Sequence, residues 1–143
     1  MKVVDSNVLV YTVNLSAPHH NAAKAWLDTA LSGTDTIAFP WIVLVSFLRL
    51  TTSRVILESP LPADVAMDIV EGWLEPPNVV VIEPMARHLA ILRGLLAVPG
   101  NAANLVNDAH IAALAVEYGA EVVSFDRNFG RFPGVRLVVP GGA

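Results

Sequence analysis

Residues 107–134 read NDAHIAALAVEYGAEVVSFDRNFGRFPG. The spacing predicts a helix over Asn104–Tyr118 that Gly119 stops, as glycine does just past a helix end. EVVSF (121–125) then reads as a strand, and it delivers an acid, Asp126, into the turn-rich DRNFGRFPG. A helix followed at once by a strand that ends in an acid is the repeating unit of a parallel α/β protein.

The same alternation runs back to the start of the chain. KVVD (2–5) suits a buried strand, and SNVLVYTVN (6–14) follows as a helix with Ser6 as its expected N-cap. Ala22, Ala23, Trp26, Leu27 and Ala30 have helical spacing between His19 and Leu31. DTIAF (35–39) reads as a strand after Gly33, and Pro40 suits the first turn of a helix carrying WIVLVSFLRLTT (41–52). PLPADVAMDIVEGWLEPP (60–77) is a helix between proline stops, with Val65, Ile69, Trp73 and Leu74 on one face. VVVI (79–82) reads as a buried strand, 84–97 as an amphipathic helix with Leu89, Leu92 and Leu96 on one side, and VRLVV (135–139) as the last strand. PGNAAN (99–104) is the expected mobile loop. The expectation is one domain over 1–143, a three-layer α/β fold whose mainly parallel central sheet is flanked by helices.

Composition narrows the class. Of the 143 residues, 54% are hydrophobic and 15% charged, which implies a sheet covered on both faces or a large surface hidden by a partner. The longest apolar run is 41–52, and Arg49 interrupts it well before the ~20 residues of a spanning helix, so no membrane association is expected. There is no cysteine, hence no disulfide framework and no thiolate metal site, and with no leader pattern at the start a cytoplasmic location is the default. The net charge of −4 argues against broad, non-specific nucleic-acid binding, though a local patch or bound cations would offset it.

In such a sheet, functional groups gather beyond the carboxyl ends of the strands. Two strands end in aspartate, at Asp5 and Asp126. The third acid of interest is Asp108, the one formally charged residue between Arg93 and Glu117, in a helix apolar on most sides. Each has a plain structural alternative: Asp5 as a helix cap, Asp126 as the anchor of the DRN turn, Asp108 as half of an ion pair. If the three converge, each pair at ~4 Å and an effective dielectric near 20 repels by about 4 kcal/mol. A hard cation such as Mg²⁺ or Mn²⁺ relieves that repulsion, and the chemistry it brings is hydrolysis of a phosphodiester by activated water.

The other polar candidates carry less. His88 and His110 show no His or acid partner at metal spacing and read as structural or surface, while His19 and His20 read as solvated. Trp26, Trp41 and Trp73 read as core or partner surface. Arg49, one helical turn beyond Ser46, is the best candidate for phosphate contact. Arg127 and Arg131 flank Asp126 and suit substrate or an acidic partner. A phosphoryl-accepting signalling domain also places aspartates at strand ends, but it needs a late lysine, and the lysines here are Lys2 and Lys24. GxxxxGK[ST] and GxGxxG are both absent, which removes P-loop NTPases and dinucleotide-binding domains.

VDSNVLVY (4–11), FLRL (47–50) and NDAHIAALAVEYGAEVVSFDRNFGRFPG together resemble a PIN-domain ribonuclease of the VapC toxin type, over nearly the whole chain. The resemblance implies a Mg²⁺- or Mn²⁺-dependent endoribonuclease that cuts RNA and is neutralised by a small cognate antitoxin, and the high apolar content fits a homodimer bound to that antitoxin. It places the family's metal-holding acids on Asp5, Asp108 and Asp126, and supporting polar positions on Asn7, Ser124 and Asn128. It also exposes a departure. Most such toxins carry a glutamate just before Phe-Leu-Arg, and here that position is Ser46. A hydroxyl can orient water but supplies no carboxylate, so one firmly held metal is expected rather than two. Ser46 also leaves open a catalytically weakened PIN-like module that binds RNA or protein.

Overall fold

The computed structural model describes residues 1–97 and 102–142, with the side chains of 102–104 excepted. Five parallel strands form one sheet in the order β3-β2-β1-β4-β5, with β1 at Lys2–Val4, β2 at Ile37–Pro40, β3 at Val79–Ile82, β4 at Glu121–Val123 and β5 at Leu137–Val138. The helices are α1 (Ser6–Val13), α2 (His20–Leu31), α3 (Trp41–Thr51), α4 (Ala63–Leu74), α5 (His88–Leu96) and α6 (Ala102–Tyr118). Right-handed crossovers put α1–α4 on one face and α5–α6 on the other, and the helices pack within those two groups. This is the expected three-layer α/β arrangement. No helix among the described residues is long and apolar enough to cross a membrane.

The core lies where the sheet is covered twice. Val3, Val4, Ile37, Ala38, Phe39, Val122 and Val123 are all fully buried, packed between Leu9 and Phe47 on one side and Ala112 and Leu114 on the other. Chain direction across the sheet reverses between β1 and β4, and this switch opens a crevice at the carboxyl ends of those strands. Asp5 leaves β1 there, and Ser124–Asp126 leave β4 there. Gly119 ends α6 at φ 65°, with Ala120 N–H bonded to Ala115 O at 2.7 Å and Gly119 N–H to Val116 O at 3.2 Å. This two-bond Schellman closure turns the chain directly from helix into β4.

Several expectations shift. The N-cap of α1 is Asp5, not Ser6: the Asp5 carboxylate accepts from Ser6 N–H. Pro40 closes β2 and stands at the N-cap of α3 with extended ψ (145°), rather than in its first turn. β3 is an edge strand, so Val80 and Val81 are exposed where a buried strand was expected. α4 buries Ala66 and Val70 and leaves Val65 exposed, and α5 turns His88 and Leu95 inward while Leu89 is 70% exposed. β4 stops at Val123, because Ser124 turns its side chain into a polar network. The loop expected at 99–104 lies outside the described residues up to 101, and 102–104 already belong to α6.

Candidate metal and phosphodiester site

The switch crevice is organised by Ser124. Its fully buried Oγ donates to Asp5 Oδ2 at 2.6 Å, accepts from Asn7 Nδ2 at 3.0 Å, and accepts from the backbone N–H of Asp126 at 2.9 Å. Asn7 continues the network through Oδ1, which accepts from Phe125 N–H at 3.2 Å. One hydroxyl therefore ties the end of β1 to the end of β4 and fixes where both acids start.

Asp5 is 6% exposed, with Oδ1 accepting from Ser6 N–H at 2.7 Å. Burial raises its pKa, the Ser124 and Ser6 hydrogen bonds work against that rise, and the negative charge of Asp126 adds to it. Asp126 caps the short 3-10 helix at Arg127–Arg131 through a 2.9 Å bond from Asn128 N–H to its Oδ1. Asn128 thus serves through its backbone, and its side chain is exposed.

Asp108 projects from the opposite wall, on α6. Together with Asp5, Ser46, Arg49 and Asn107 it lines a pocket of about 180 Å³. Its pKa is pushed up to about 6, first by desolvation and then by the charges of Asp5 and Asp126. Asp108 therefore lies in the field of both other acids and Asp5 in that of Asp126, and Asp5 and Asp108 enter no ion pair among the described residues. The pocket brings Ser46 and Arg49 to the carboxylates, whereas Arg127 is exposed beside Asp126 and does not line it. Both lysines are occupied elsewhere: Lys2 Nζ bonds Asp35 at 2.8 Å and Lys24 pairs with Asp28 at 3.0 Å. The lysine a phosphoryl-accepting site requires is therefore not at this crevice.

The donor set suits a hard divalent cation: carboxylate oxygens, a neighbouring hydroxyl, and mutual repulsion that a cation relieves. Asp5 can ligate without breaking its bonds, since each of its oxygens accepts one hydrogen bond and keeps a lone pair. Among the described residues no three His, Asp or Glu side chains already stand at closed ligand spacing. Asp5 and Asp108 face one pocket, and Asp126 acts on both through its charge from outside that lining.

Two features, both at histidines, escaped the sequence reading. His88 and His110, expected to stand apart, pair at 2.9 Å between Nε2 and Nδ1, with buried Glu117 behind them. His110 and Glu117 are seven residues apart on α6, a spacing that puts them on one face and was the available signal. His19 is not simply solvated but stacks on Phe125, ring centroids 4.5 Å apart, and His20 Nδ1 lies 2.8 Å from Tyr11 O. Trp73 packs edge-on against Phe47, whereas Trp41 is 51% exposed.

Comparison with known proteins agrees with this fold. The PIN domain family model matches residues 2–135. Ribonuclease VapC37 of Mycobacterium tuberculosis is 50% identical over 140 residues, covering 98% of this chain and 97% of that protein. Ribonuclease VapC33 of the same species is 38% identical over 140 residues, covering 98% of each. Among solved structures, VapBC2 from Rickettsia felis bound to a DNA fragment from their promoter superposes with a TM-score of 0.70 at 20% identity, over 97% of this chain and 98% of that one. At that identity the likeness speaks for the fold.

Proposed function

This chain belongs to the PIN-domain family, and on that premise we propose that it is an endoribonuclease toxin of a type II toxin–antitoxin system, dependent on Mg²⁺ or Mn²⁺ and acting in the cytoplasm as a single PIN domain over 1–143. The observation that carries the reading is the pocket with Asp5 on one wall and Asp108 on the other, under the charge of Asp126. These three carboxylates would hold the ion. When bound, the ion supplies Lewis acidity for hydrolysis and neutralises charge on the phosphoryl group.

The chain's own residues do the rest. Ser124 and Ser6 N–H hold the Asp5 carboxylate in one orientation, and Asn7 keeps Ser124 in place. Arg49, on the same pocket wall as Ser46, offers a guanidinium to a phosphate oxygen. Ser46 contributes a hydroxyl that orients water and no charge, which favours one firmly bound ion. Arg127 extends the positive rim beside Asp126.

An antitoxin is proposed to lay an amphipathic segment into the groove between α3 and α4, lined by Val45, Leu48, Arg49, Ala63 and Met67. That groove shares Arg49 with the carboxylate pocket, so an occupant with an acidic group would also block the phosphate contact. The exposed apolar side chains Val80 and Val81 on the edge strand support a homodimer in addition. A monomer in sedimentation experiments at micromolar concentration would contradict that part.

The deciding experiment compares RNA cleavage and growth arrest for the wild type, Asp5→Asn and Asp108→Asn, with folding checked by circular dichroism. Both variants should be folded and inactive, and a fully toxic Asp108→Asn protein would sink the reading. Ser46 favours a second reading, a PIN-like module that binds RNA or protein without cutting. Metal-dependent cleavage that disappears in Asp5→Ala would remove it.

A further inference from the structure

The Glu117–His88–His110 cluster takes no part in the carboxylate pocket. Glu117 is buried, and its two oxygens accept from Met85 N–H at 2.8 Å and Arg87 N–H at 3.0 Å. Its Oε1 also lies 3.7 Å from His88 Nδ1, a buried nitrogen with no hydrogen-bond partner among the described residues. The carboxylate favours a proton on that nitrogen. With that proton in place, His88 accepts at Nε2 from His110 Nδ1–H across 2.9 Å, and His110 keeps a lone pair on its own Nε2.

His110 is half-buried and lines an open pocket of about 230 Å³ with Trp41, Ile42, Ile82, Glu83 and Leu114. This pocket sits at the carboxyl ends of β2 and β3, on the same sheet edge as the carboxylate crevice, and Ile42 belongs to the walls of both. It offers one broad exposed aromatic face, Trp41, and one imidazole held by a ring-to-ring hydrogen bond, His110.

We propose that the Trp41–His110 pocket seats a nucleobase of the RNA strand, next to the phosphate that Arg49 contacts in the carboxylate pocket. Trp41 is the stacking face, and His110 Nε2 accepts a hydrogen bond from a base N–H. The proposal rests on the ribonuclease reading for the identity of the ligand. Glu83 at the rim repels a phosphate but accepts from a base amino group, so the pocket suits the base and not the backbone. An apolar peptide side chain would fill the hollow without using the His110 ring nitrogen. Stacking is tolerant of base identity, whereas a directed hydrogen bond discriminates, so the two residues have separable effects.

The test uses the Asp108→Asn protein, which does not consume RNA, and fluorescence anisotropy with short homopolymeric RNAs of A, C, G and U. Adding Trp41→Ala should weaken binding of all four by roughly tenfold, with Trp41→Phe restoring most of it. Adding His110→Ala should instead narrow the spread among the four. Trp41 is half exposed, so its replacement leaves the core intact. Unchanged affinity in the Trp41→Ala protein would overturn the proposal, as would failure of the parent to bind any of the RNAs. So would loss of antitoxin binding or of dimerisation with RNA binding intact. Cleavage by the wild type is measured separately. RNA binding that depends on Trp41 without any cleavage would sink the nuclease reading alone, and normal cleavage with unchanged binding would sink this subsite alone.

Discussion

Ser124 Oγ and Asp5 Oδ2, 119 positions apart in the chain, share a 2.6 Å hydrogen bond inside the protein. It is the main favourable contact opposing the burial of the Asp5 charge. Ser124→Ala should lower stability by about 1.5–3 kcal/mol at pH 7.5, the range for a hydrogen bond to a charged group. The deficit should shrink on acidification, because a protonated Asp5 no longer needs the donor. Urea midpoints at pH 7.5 and pH 4 measure it, and an equal deficit at both would contradict the assignment.

Asp108 makes the protein less stable where the site works. Its folded pKa of about 6 lies above the ordinary 3.8, so the native state holds the proton more tightly than the unfolded chain. Its contribution is therefore most favourable at low pH and declines as pH rises from about 4 to about 6. Asp108→Asn escapes that decline. Discounted for its half-exposed carboxyl, the gain should be on the order of 1 kcal/mol at pH 7.5 and should vanish toward pH 4. Thermal melts of both proteins across that range check it. Adding Mg²⁺ should raise the melting temperature of the wild type and not that of the variant.

The same shift sets how ion binding responds to acid. A carboxylate must be ionised to ligate, so Mn²⁺ affinity should fall below pH 6 and binding near that pH should release protons. Calorimetric titration in two buffers of different ionisation enthalpy counts them. Affinity that stays flat from pH 7.5 to pH 5 would remove Asp108 from the ligand set.

Ser46→Glu puts a further carboxylate on the wall shared by Asp5 and Asp108. In the absence of ions it should lower the melting temperature through repulsion, and it should raise Mg²⁺ or Mn²⁺ affinity or add a second site. Titration of the wild type beside the variant decides this. Absence of binding in both would mean that the aspartates do not act as a ligand set.

Glu117 anchors the entry to α5 through the N–H groups of Met85 and Arg87. Glu117→Ala strands two donors and should cost about 2–4 kcal/mol, whereas Glu117→Gln keeps one acceptor and should cost roughly half as much. Hydrogen exchange at those two amides should speed up in the Ala variant before global unfolding does.

The legible part of the site was the part carried by strand ends and by an isolated charge. Asp5 and Asp126 follow apolar strands, and Asp108 is conspicuous in an apolar helix, so sequence position alone singled them out. What sequence could not give depends on strand order and helix pairing. VVVI has the composition of a buried strand, yet β3 is an edge because nothing follows it in the sheet. His88 meets Glu117 only because α5 and α6 pack together on one face, a fact of tertiary structure. The cap on α1 was misassigned for a related reason: Ser6 and Asp5 are both good caps, and Ser124 settles the matter by holding the Asp5 side chain over Ser6 N–H.

The joint between β1 and β4 also fixes when the protein becomes active during its own synthesis. A ribosome delivers β1, α1 and all of α3 first, with Asp5 and Arg49 in place, but Asp108, Ser124 and Asp126 emerge only with the last third of the chain. Until Ser124 arrives, Asp5 has no side-chain donor and the crevice has one wall. A nascent or prematurely ended chain should therefore leave the RNA around it uncut, and a fragment ending at Glu117 should show no metal-dependent cleavage. Docking of the Ser124 segment against β1 is therefore the step that completes the crevice.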